Sequence, residues 1–180
     1  MIILPTEFTE MPWKNGGGTT LEIFRGHGLV RSDDWTWRLS MARLDADGPF
    51  SHFEGITRIL TFLGPGEMIL TVEGDRSRLT ELDFLEFPGD ATVSAEVTAP
   101  PAWDLNLMGR RDSVRIAVQS LSGAVEIPGD TEVFGVFAAR GSVLLGDARV
   151  PMGAVGLQTE GGRVEATDGP AVLFTVTHLT

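Results

Sequence analysis

Cysteine and tyrosine are absent from this chain of 180 residues, and lysine occurs once, as Lys14. Without cysteine there can be no disulfide, thiolate nucleophile, iron–sulfur cluster or cysteine-bound zinc. A Schiff-base lysine or a phosphate-loop lysine could only be Lys14. The three histidines, His27, His52 and His178, are scattered along the sequence. The missing residue types therefore exclude cysteine-based chemistry and leave few candidates for nucleophilic or metal-based catalysis.

Positive charge and long apolar runs are also scarce. The chain has 14 Lys and Arg against 25 Asp and Glu, which gives a net charge of −11. This charge argues against nucleic acid or an anionic membrane surface as a partner, but it allows a small anion in a local basic pocket. No stretch of about 18 apolar residues is present, and the first residues do not have the pattern of a signal peptide. We expect a soluble, cytoplasmic protein.

Helical periodicity is nearly absent, and short β-rich runs separated by Gly, Pro, Asp and Asn predict an all-β fold. In the run 35–42, Trp and other apolar residues at odd positions alternate with Thr36, Arg38, Ser40 and Ala42 at even positions, as in a strand with two different faces. Residues 5–11 are the one weak helix candidate. Further strands are predicted at 59–63, 67–72, 82–87, 91–97, 103–108, 113–119, 132–138, 142–145, 154–158 and 171–177.

One pattern of strands and turns occurs twice in the chain. Residues 58–91 and 135–154 share the order strand, Gly, strand, Gly-Asp turn, strand and Pro/Gly turn, with Gly74-Asp75 and Gly146-Asp147 as the corresponding turns. This order is typical of cupin barrels, and duplication of a unit is a signature of repeat architecture. We predict a bicupin domain over 1–180: two cupin-like β-barrels packed as one body, at about 1–120 and about 121–180. All four tryptophans lie before residue 106, so we expect any site in the first barrel.

The most unusual segment is 11–20, which contains three consecutive glycines, Gly16–Gly18. It matches neither nucleotide-binding glycine pattern, and no helix follows that could hold a phosphate. Two interpretations stay open at this point. The segment is a hairpin turn at Asn15-Gly16, or it forms a pocket rim where Trp13 supplies an apolar wall and Asn15 a donor and an acceptor.

His52 and Glu54 occupy the region where a metal-binding cupin keeps its first ligands. No histidine follows the turn at 88–90, where the second cupin motif would supply another ligand. Two ligands are too few for a protein-held transition metal, so we predict that the protein has neither metal nor other cofactor. An alternative is a metal-independent isomerase or hydrolase with His52 or Glu54 as general base, and a third hypothesis is a protein-interaction module.

Arginines on the predicted strands are the best candidates for binding an anion. If the even face of 35–42 points into the barrel, Arg38 and Ser40 line its cavity, where a guanidinium can bind a carboxylate through two charge-assisted hydrogen bonds. Otherwise Arg38 is solvated, or it pairs with Asp45 or Asp104. The strand 103–108 has a polar face as well. The residues predicted to line a ligand pocket are Trp13, Asn15, Thr19, Arg38, Ser40, Arg58, Asn106 and Met108.

Three blocks of this sequence resemble the HutD/Ves family. They are Pro-Trp-Lys-Asn-Gly-Gly-Gly-Thr at 12–19, Trp-Arg-Leu-Ser-Met-Ala at 37–42 with Asp-Gly-Pro-Phe-Ser at 47–51, and Asp-Leu-Asn-Leu-Met at 104–108. Lys14 stands where arginine is frequent in the family, and the loop at 52–55 differs from the usual Phe-Pro-Gly. The resemblance supplies no set of catalytic residues.

The resemblance implies a metal-free bicupin. For the HutD branch it also implies a link to histidine utilisation through a bound small carboxylate or formylated intermediate, whereas the Ves branch is named for stress induction. Together with the arginines, it predicts a protein that binds a small anionic metabolite, with formylglutamate and formate as candidates, and moderates histidine utilisation or a related stress response. We expect neither nucleic acid nor membrane as a partner, and a homodimer stays open.

Overall fold

The computed structural model describes residues 1–14, 16–27 and 35–179, and nearly all of its regular structure is β-strand. The predicted all-β fold is confirmed. Within these residues the one helical segment is the 3-10 turn Pro5–Glu7, so the weak helix predicted over 5–11 is wrong beyond that turn: Thr9–Pro12 forms a strand. No helix in the described part of the chain is long and apolar enough to cross a membrane.

The strands of the described residues are numbered in chain order. They are β1 Ile2–Ile3, β2 Thr9–Pro12, β3 Gly18–Gly26, β4 Trp37–Leu44, β5 Gly48–Pro49, β6 Ile56–Gly64, β7 Met68–Val72, β8 Asp75–Leu79, β9 Phe84–Pro88, β10 Val93–Val97, β11 Ala102–Arg110, β12 Val114–Ile127, β13 Val133–Phe137, β14 Val143–Leu145, β15 Ala148–Val150, β16 Val155–Gln158 and β17 Gly162–His178.

The chain divides into two compact units. The first unit, Thr9–Ser113, contains a six-stranded sheet in the order β2-β3-β4-β11-β6-β9 and a four-stranded sheet in the order β5-β10-β7-β8. Buried residues of the two sheets form one apolar cluster, with Leu60 and Phe62 from the first sheet and Met68, Leu70 and Ala95 from the second. The first unit therefore has its own hydrophobic core, which lies between its two sheets.

The second unit contains Met1–Phe8 and the chain from Val114 onwards. Its sheet has the order β1-β16-β13-β17-β14-β15, and β12 pairs along β17. Its core is formed by a separate cluster of aliphatic and aromatic residues that includes Phe134, Val136, Val143 and Leu173. The predicted boundary near residue 120 falls inside β12, the long strand with which this unit continues.

Strand pairing shows the internal duplication that the sequence predicted. In the first unit β6 pairs with β9 and β11, while β7 pairs with β8 and β10. In the second unit β13 pairs with β16 and β17, while β14 pairs with β15 and β17. The two halves of the long β17 thus take the places of β10 and β11. The same pairing scheme is built twice.

The two predicted repeat turns join corresponding hairpins, but they are displaced by one residue. Val72 pairs with Asp75, so the loop of the first hairpin is Glu73-Gly74 and not Gly74-Asp75. In the second hairpin the loop is Gly146-Asp147, as predicted. Positive φ at both Glu73 (49°) and Gly74 (90°) is the pattern of a type I′ turn, whereas Gly146 (59°) at the first position is that of type II′. The two turn types place glycine at different positions, which explains the displacement.

The glycine-rich segment forms the hairpin between β2 and β3. Pro12 pairs with Thr19, and the Trp13 amide donates to the Gly18 carbonyl at 2.9 Å. A Cβ added at Gly18 would lie 2.3 Å from the backbone oxygen of Arg43 and 3.1 Å from the Trp13 ring, so only glycine fits there. β2 and β3 thus form a hairpin, whereas the turn predicted at Asn15-Gly16 includes Asn15, which lies outside the described residues.

We predict that Gly18→Ala destabilises the protein by about 1–3 kcal/mol, because the new methyl group must displace the backbone of β4 or the Trp13 ring. Gly48→Ala is the matched control, since a Cβ at Gly48 meets nothing within 4 Å. Urea denaturation of both variants measures the difference. Equal losses of stability in the two variants would contradict the close approach at Gly18.

Candidate functional site

The first unit contains a cavity of about 490 Å³. Three of its lining residues are cations, Lys14, Arg38 and Arg58, and none is an aspartate or a glutamate. The local charge is therefore positive in a protein whose net charge is −11. The full lining is Trp13, Lys14, Thr20, Arg38, Ser40, Ala42, Pro49, Phe50, Ser51, Phe53, Arg58, Asn106 and Met108.

Strand register explains why polar residues that are distant in sequence meet at this cavity. On the central strand β11, Met108 is paired with Arg38 of β4 on one side and with Arg58 of β6 on the other. One step along the same face, Asn106 is paired with Ser40 and Leu60. Because side chains at alternate positions share a face, this register brings both arginines and the amide to one side of the sheet.

Arg58 is the most deeply held of the three cations, with 3% of its surface exposed. Its Nη1 donates to the Ser51 carbonyl at 3.2 Å and its Nη2 to Asn106 Oδ1 at 2.9 Å. Three phenylalanine rings, of Phe50, Phe53 and Phe87, lie 5.2–5.4 Å from its guanidinium carbon, which is cation–π range. Burial lowers the pKa of Arg58 to about 10, so the group stays charged at neutral pH.

Asp104 lies behind Arg58 and has no exposed surface. Asn106 joins the two, because its Nδ2 donates to Asp104 Oδ1 while its Oδ1 accepts from Arg58. Burial raises the pKa of Asp104 to about 7, and the positive charge of Arg58 and the Asn106 hydrogen bond partly oppose this rise. The second carboxyl oxygen, Oδ2, is buried without a hydrogen-bond partner. A carboxyl group that titrates near neutrality thus lies within two hydrogen bonds of the cavity.

Arg38 lines the cavity, so of the two orientations that the alternation of 35–42 left open, the even face is the one that points inward. Its Nε is paired with Glu22 Oε2 of β3 at 2.7 Å, and Glu22 also pairs with Arg25 at 2.8 Å. Of the two alternative partners suggested by the sequence, Asp45 pairs with the exposed Arg43 and Asp104 accepts a hydrogen bond from Asn106. Glu22 is shared between two arginines, so it neutralises Arg38 only in part.

The remaining predicted pocket residues have three outcomes. Trp13, Ser40, Asn106 and Met108 line the cavity together with the two arginines, whereas Asn15 lies outside the described residues. Thr19 is buried but does not line the cavity; its neighbour Thr20 does, because the two side chains of β3 point to opposite faces. Thr20 accepts a hydrogen bond from the Trp13 indole at 2.8 Å, which fixes the ring at the rim. That these residues bind a ligand stays a prediction.

Sequence reasoning missed the aromatic surroundings of Arg58. Phe50 and Phe53 line the cavity, and Ser51 between them supplies the carbonyl that holds the guanidinium. Phe50 and Ser51 belong to the block 47–51 that carried part of the family resemblance. The sequence therefore marked these residues, but it did not indicate that they surround Arg58. The Phe87 ring lies next to Arg58 because the two residues are paired between the neighbouring strands β9 and β6.

His52 and Glu54 are exposed in the loop before β6, and neither lines the cavity. This position gives no support to the alternative of an enzyme in which one of them is the general base. Across residues 1–14, 16–27 and 35–179 no group of three or more His, Asp or Glu side chains is placed to hold a metal ion.

The model of the HutD family matches residues 5–162. The chain belongs to the HutD family. Two curated relatives agree with this family assignment. A protein of Pseudomonas putida named as an uncharacterized 21.2 kDa protein in the hutC 3′ region is 37% identical over 140 residues, which are 76% of this chain and 72% of the relative. Protein Ves of Citrobacter koseri is 33% identical over 134 residues, which are 73% of this chain and 64% of the relative.

Solved structures are similar to this HutD-family protein over all or most of its length. HutD from Pseudomonas fluorescens SBW25, described as a formate condition, is 28% identical with a TM-score of 0.88, and the match covers 100% of this chain and 99% of that chain. A cupin 2 conserved barrel domain protein from Leptotrichia buccalis, 12% identical with a TM-score of 0.58 over 89% of this chain and 88% of that chain, shares the fold alone. The predicted bicupin fold is confirmed.

We predict that the purified HutD-family protein carries no stoichiometric transition metal, because His52 and Glu54 lack further ligands in the described structure. Elemental analysis of protein purified without a metal-affinity tag provides the measurement. About one metal ion per chain, lost in His52→Ala, would overturn this prediction.

The raised pKa of Asp104 predicts an unusual dependence of stability on pH. Because the folded state holds this proton more tightly than the unfolded state, the wild type should lose stability relative to Asp104→Asn as pH rises from about 5 to about 8. Asp83→Asn is the control, since hydrogen bonds from Thr80 lower the pKa of Asp83. Its stability difference from the wild type should stay constant over that range. Urea denaturation at several pH values measures both, and a constant difference for Asp104→Asn would contradict the assignment.

Proposed function

We propose that this protein binds a small carboxylate in the cavity of its first unit, with Arg58 as the anchor, and thereby moderates histidine utilisation in the cytoplasm. One observation carries the proposal. Arg58 is a buried cation that lines a cavity, and within the described residues it makes no direct ion pair. Its hydrogen-bond acceptors, the Ser51 carbonyl and the Asn106 amide, are both neutral. A buried charge needs a counter-ion, and the cavity provides the place for one.

The guanidinium keeps donors for a ligand. It has five N–H groups, of which one on Nη1 and one on Nη2 are used within the protein. A carboxylate can accept from the remaining donors in the fork geometry that arginine favours. The phenylalanine rings and the apolar wall of Trp13 and Met108 keep water away from this contact, and low local polarity strengthens it. These features favour a compact carboxylate over a neutral ligand.

The volume and the other cations support a ligand larger than formate. A cavity of about 490 Å³ is within the range of roughly 300–1,000 Å³ that small-molecule sites occupy. Lys14 and Arg38 lie at the same cavity as Arg58 and can neutralise a second negative group. Formylglutamate has two carboxylates and a formamide, and it is therefore the leading candidate, with formate as its smallest fragment.

The relatives support both the pathway and the choice of probes. The Pseudomonas putida relative takes its name from the hutC 3′ region, and the Pseudomonas fluorescens HutD structure is described as a formate condition. Belonging to the same family makes a role in histidine utilisation the most economical proposal for this chain. A sensor or buffer of a pathway intermediate needs a binding site but no catalytic group, which suits the composition of the cavity.

We predict that Arg58→Met weakens the binding of formate and formylglutamate by about tenfold to a hundredfold, because a charge-assisted hydrogen bond contributes about 1.5–3 kcal/mol. Methionine keeps an unbranched apolar side chain between the phenylalanine rings. Titration calorimetry gives the affinities, and thermal denaturation verifies that the variant is folded.

The matched control is Arg43→Ala. Arg43 lies on β4, where it is exposed and paired with Asp45, so its removal should leave the affinity unchanged. Arg38→Ala separates the two cavity arginines. A loss of affinity only in Arg38→Ala would move the anchor to β4, and equal affinities in the wild type and both cavity variants would refute the carboxylate site.

A further inference from the structure

We infer that the site takes up its anion together with a proton, and that Asp104 is the residue that receives this proton. The inference rests on the proposed function, since it concerns the same cavity. It adds a residue that does not touch the ligand: Asp104 is a positioning residue that sets how the affinity depends on pH. The contacts from Arg58 through Asn106 to Asp104 are the basis of the inference.

The geometry makes Arg58 a cation shared between two anions. On one side, the Asn106 amide accepts a hydrogen bond from Arg58 and donates one to Asp104. On its outer side, the guanidinium faces the cavity that the ligand would occupy. The amide of Asn106 has no charge of its own, and Asp104 is the carboxyl group whose negative charge acts on Arg58. A bound carboxylate and an ionised Asp104 therefore compete for one positive charge.

The other charged groups round this part of the barrel do not provide a substitute for Arg58. On β4, Arg38 faces the cavity and is paired with Glu22 of β3. Lys14 lies at the rim before β3, and it is exposed. The facing four-stranded sheet contributes apolar side chains such as Leu70 and Ala95. Asp104 is thus controlled chiefly by burial and by Arg58, the two leading influences on its pKa.

The direction of the coupling follows from these charges. Without a ligand, Asp104 has a pKa of about 7 and is partly ionised at neutral pH. An anion bound to Arg58 adds a negative charge near Asp104, which raises the pKa of this carboxyl further. Its carboxylate then binds one proton from solvent and becomes a neutral acid; no other bond changes. By linkage, the affinity for the anion falls as pH rises through the interval between the free and the bound pKa.

The unpartnered Oδ2 of Asp104 fits this role. A fully buried carboxylate with one oxygen lacking any hydrogen bond is costly when ionised. Protonation removes the charge and with it most of the cost. Asp104 is therefore able to change protonation state without rearrangement of the strands, because β4 and β6 hold β11 on both sides.

Formate is the probe for the test, because a simple carboxylate stays ionised across the neutral range. We expect the formate affinity of the wild type to fall roughly tenfold between about pH 6 and about pH 9. Calorimetry in two buffers of different ionisation enthalpy should show net proton uptake near pH 7.5. Asp104→Asn should bind formate without proton uptake, with an affinity that does not vary over this range and that exceeds the wild-type affinity at the alkaline end.

His52→Gln is the matched control, because His52 is the histidine that directly follows Ser51, whose carbonyl holds Arg58. Proton uptake that survives in His52→Gln and disappears in Asp104→Asn supports the inference. Uptake that persists in Asp104→Asn, or that disappears in His52→Gln, overturns it.

A measurement on the wild type keeps the test valid if Asp104→Asn does not fold. Carbon-13 NMR of the Asp104 carboxyl should show a titration midpoint that moves to higher pH when formate is added, and an unchanged midpoint overturns the inference. Failure of the proposed function gives a different experimental result from failure of the coupling. A wild type that binds formate with no dependence on pH refutes the coupling alone, whereas a wild type that binds neither formate nor formylglutamate at any pH refutes the site and the coupling together.

Discussion

The buried charge of Arg58 is the constraint on which the arrangement of the first unit depends. A guanidinium with 3% exposure can be accommodated only if other groups replace the water it has lost. Three phenylalanine rings, the Ser51 carbonyl and the Asn106 amide do so, and Asp104 supplies a counter-charge that is itself weakened by burial. This compensation is incomplete, because Arg58 Nε and Asp104 Oδ2 lack partners. Under the proposed function, an anion in the cavity would supply the direct counter-charge that Arg58 lacks.

The two units of the duplicated fold differ in the side chains that their interiors contain. Both units have the same pairing scheme, with β6 to β11 of the first matched by β13 to β17 of the second. Among the described residues, the buried polar side chains other than Ser142 all belong to the first unit. The core of the second unit is apolar, which stabilises the fold without forming a polar interior. The first unit thus combines an apolar core with a polar cavity, and it buries charged side chains.

The sequence predicted the architecture well because its signals were local. Alternation in 35–42 placed Arg38 and Ser40 on one face of β4 but left open whether that face points inward, and the repeated turns indicated the duplication. The partner of Arg38 could not be predicted, since Glu22 reaches it through the pairing of β3 with β4. The pairing of Asp104 with Arg58 through Asn106 likewise depends on the register across β11 and β6. The sequence favours Thr19 over its neighbour Thr20, which lines the cavity, because a shift of one residue in a strand reverses the face.

A crystal structure of this protein with formylglutamate tests the central claim most directly. The account predicts a carboxylate of the ligand within hydrogen-bonding distance of the Arg58 guanidinium, with its second anionic group towards Lys14 and Arg38. The contacts of Arg58 with Ser51 and Asn106 should persist in that complex. A ligand bound elsewhere on the protein, with Arg58 still without an anion, would contradict the account.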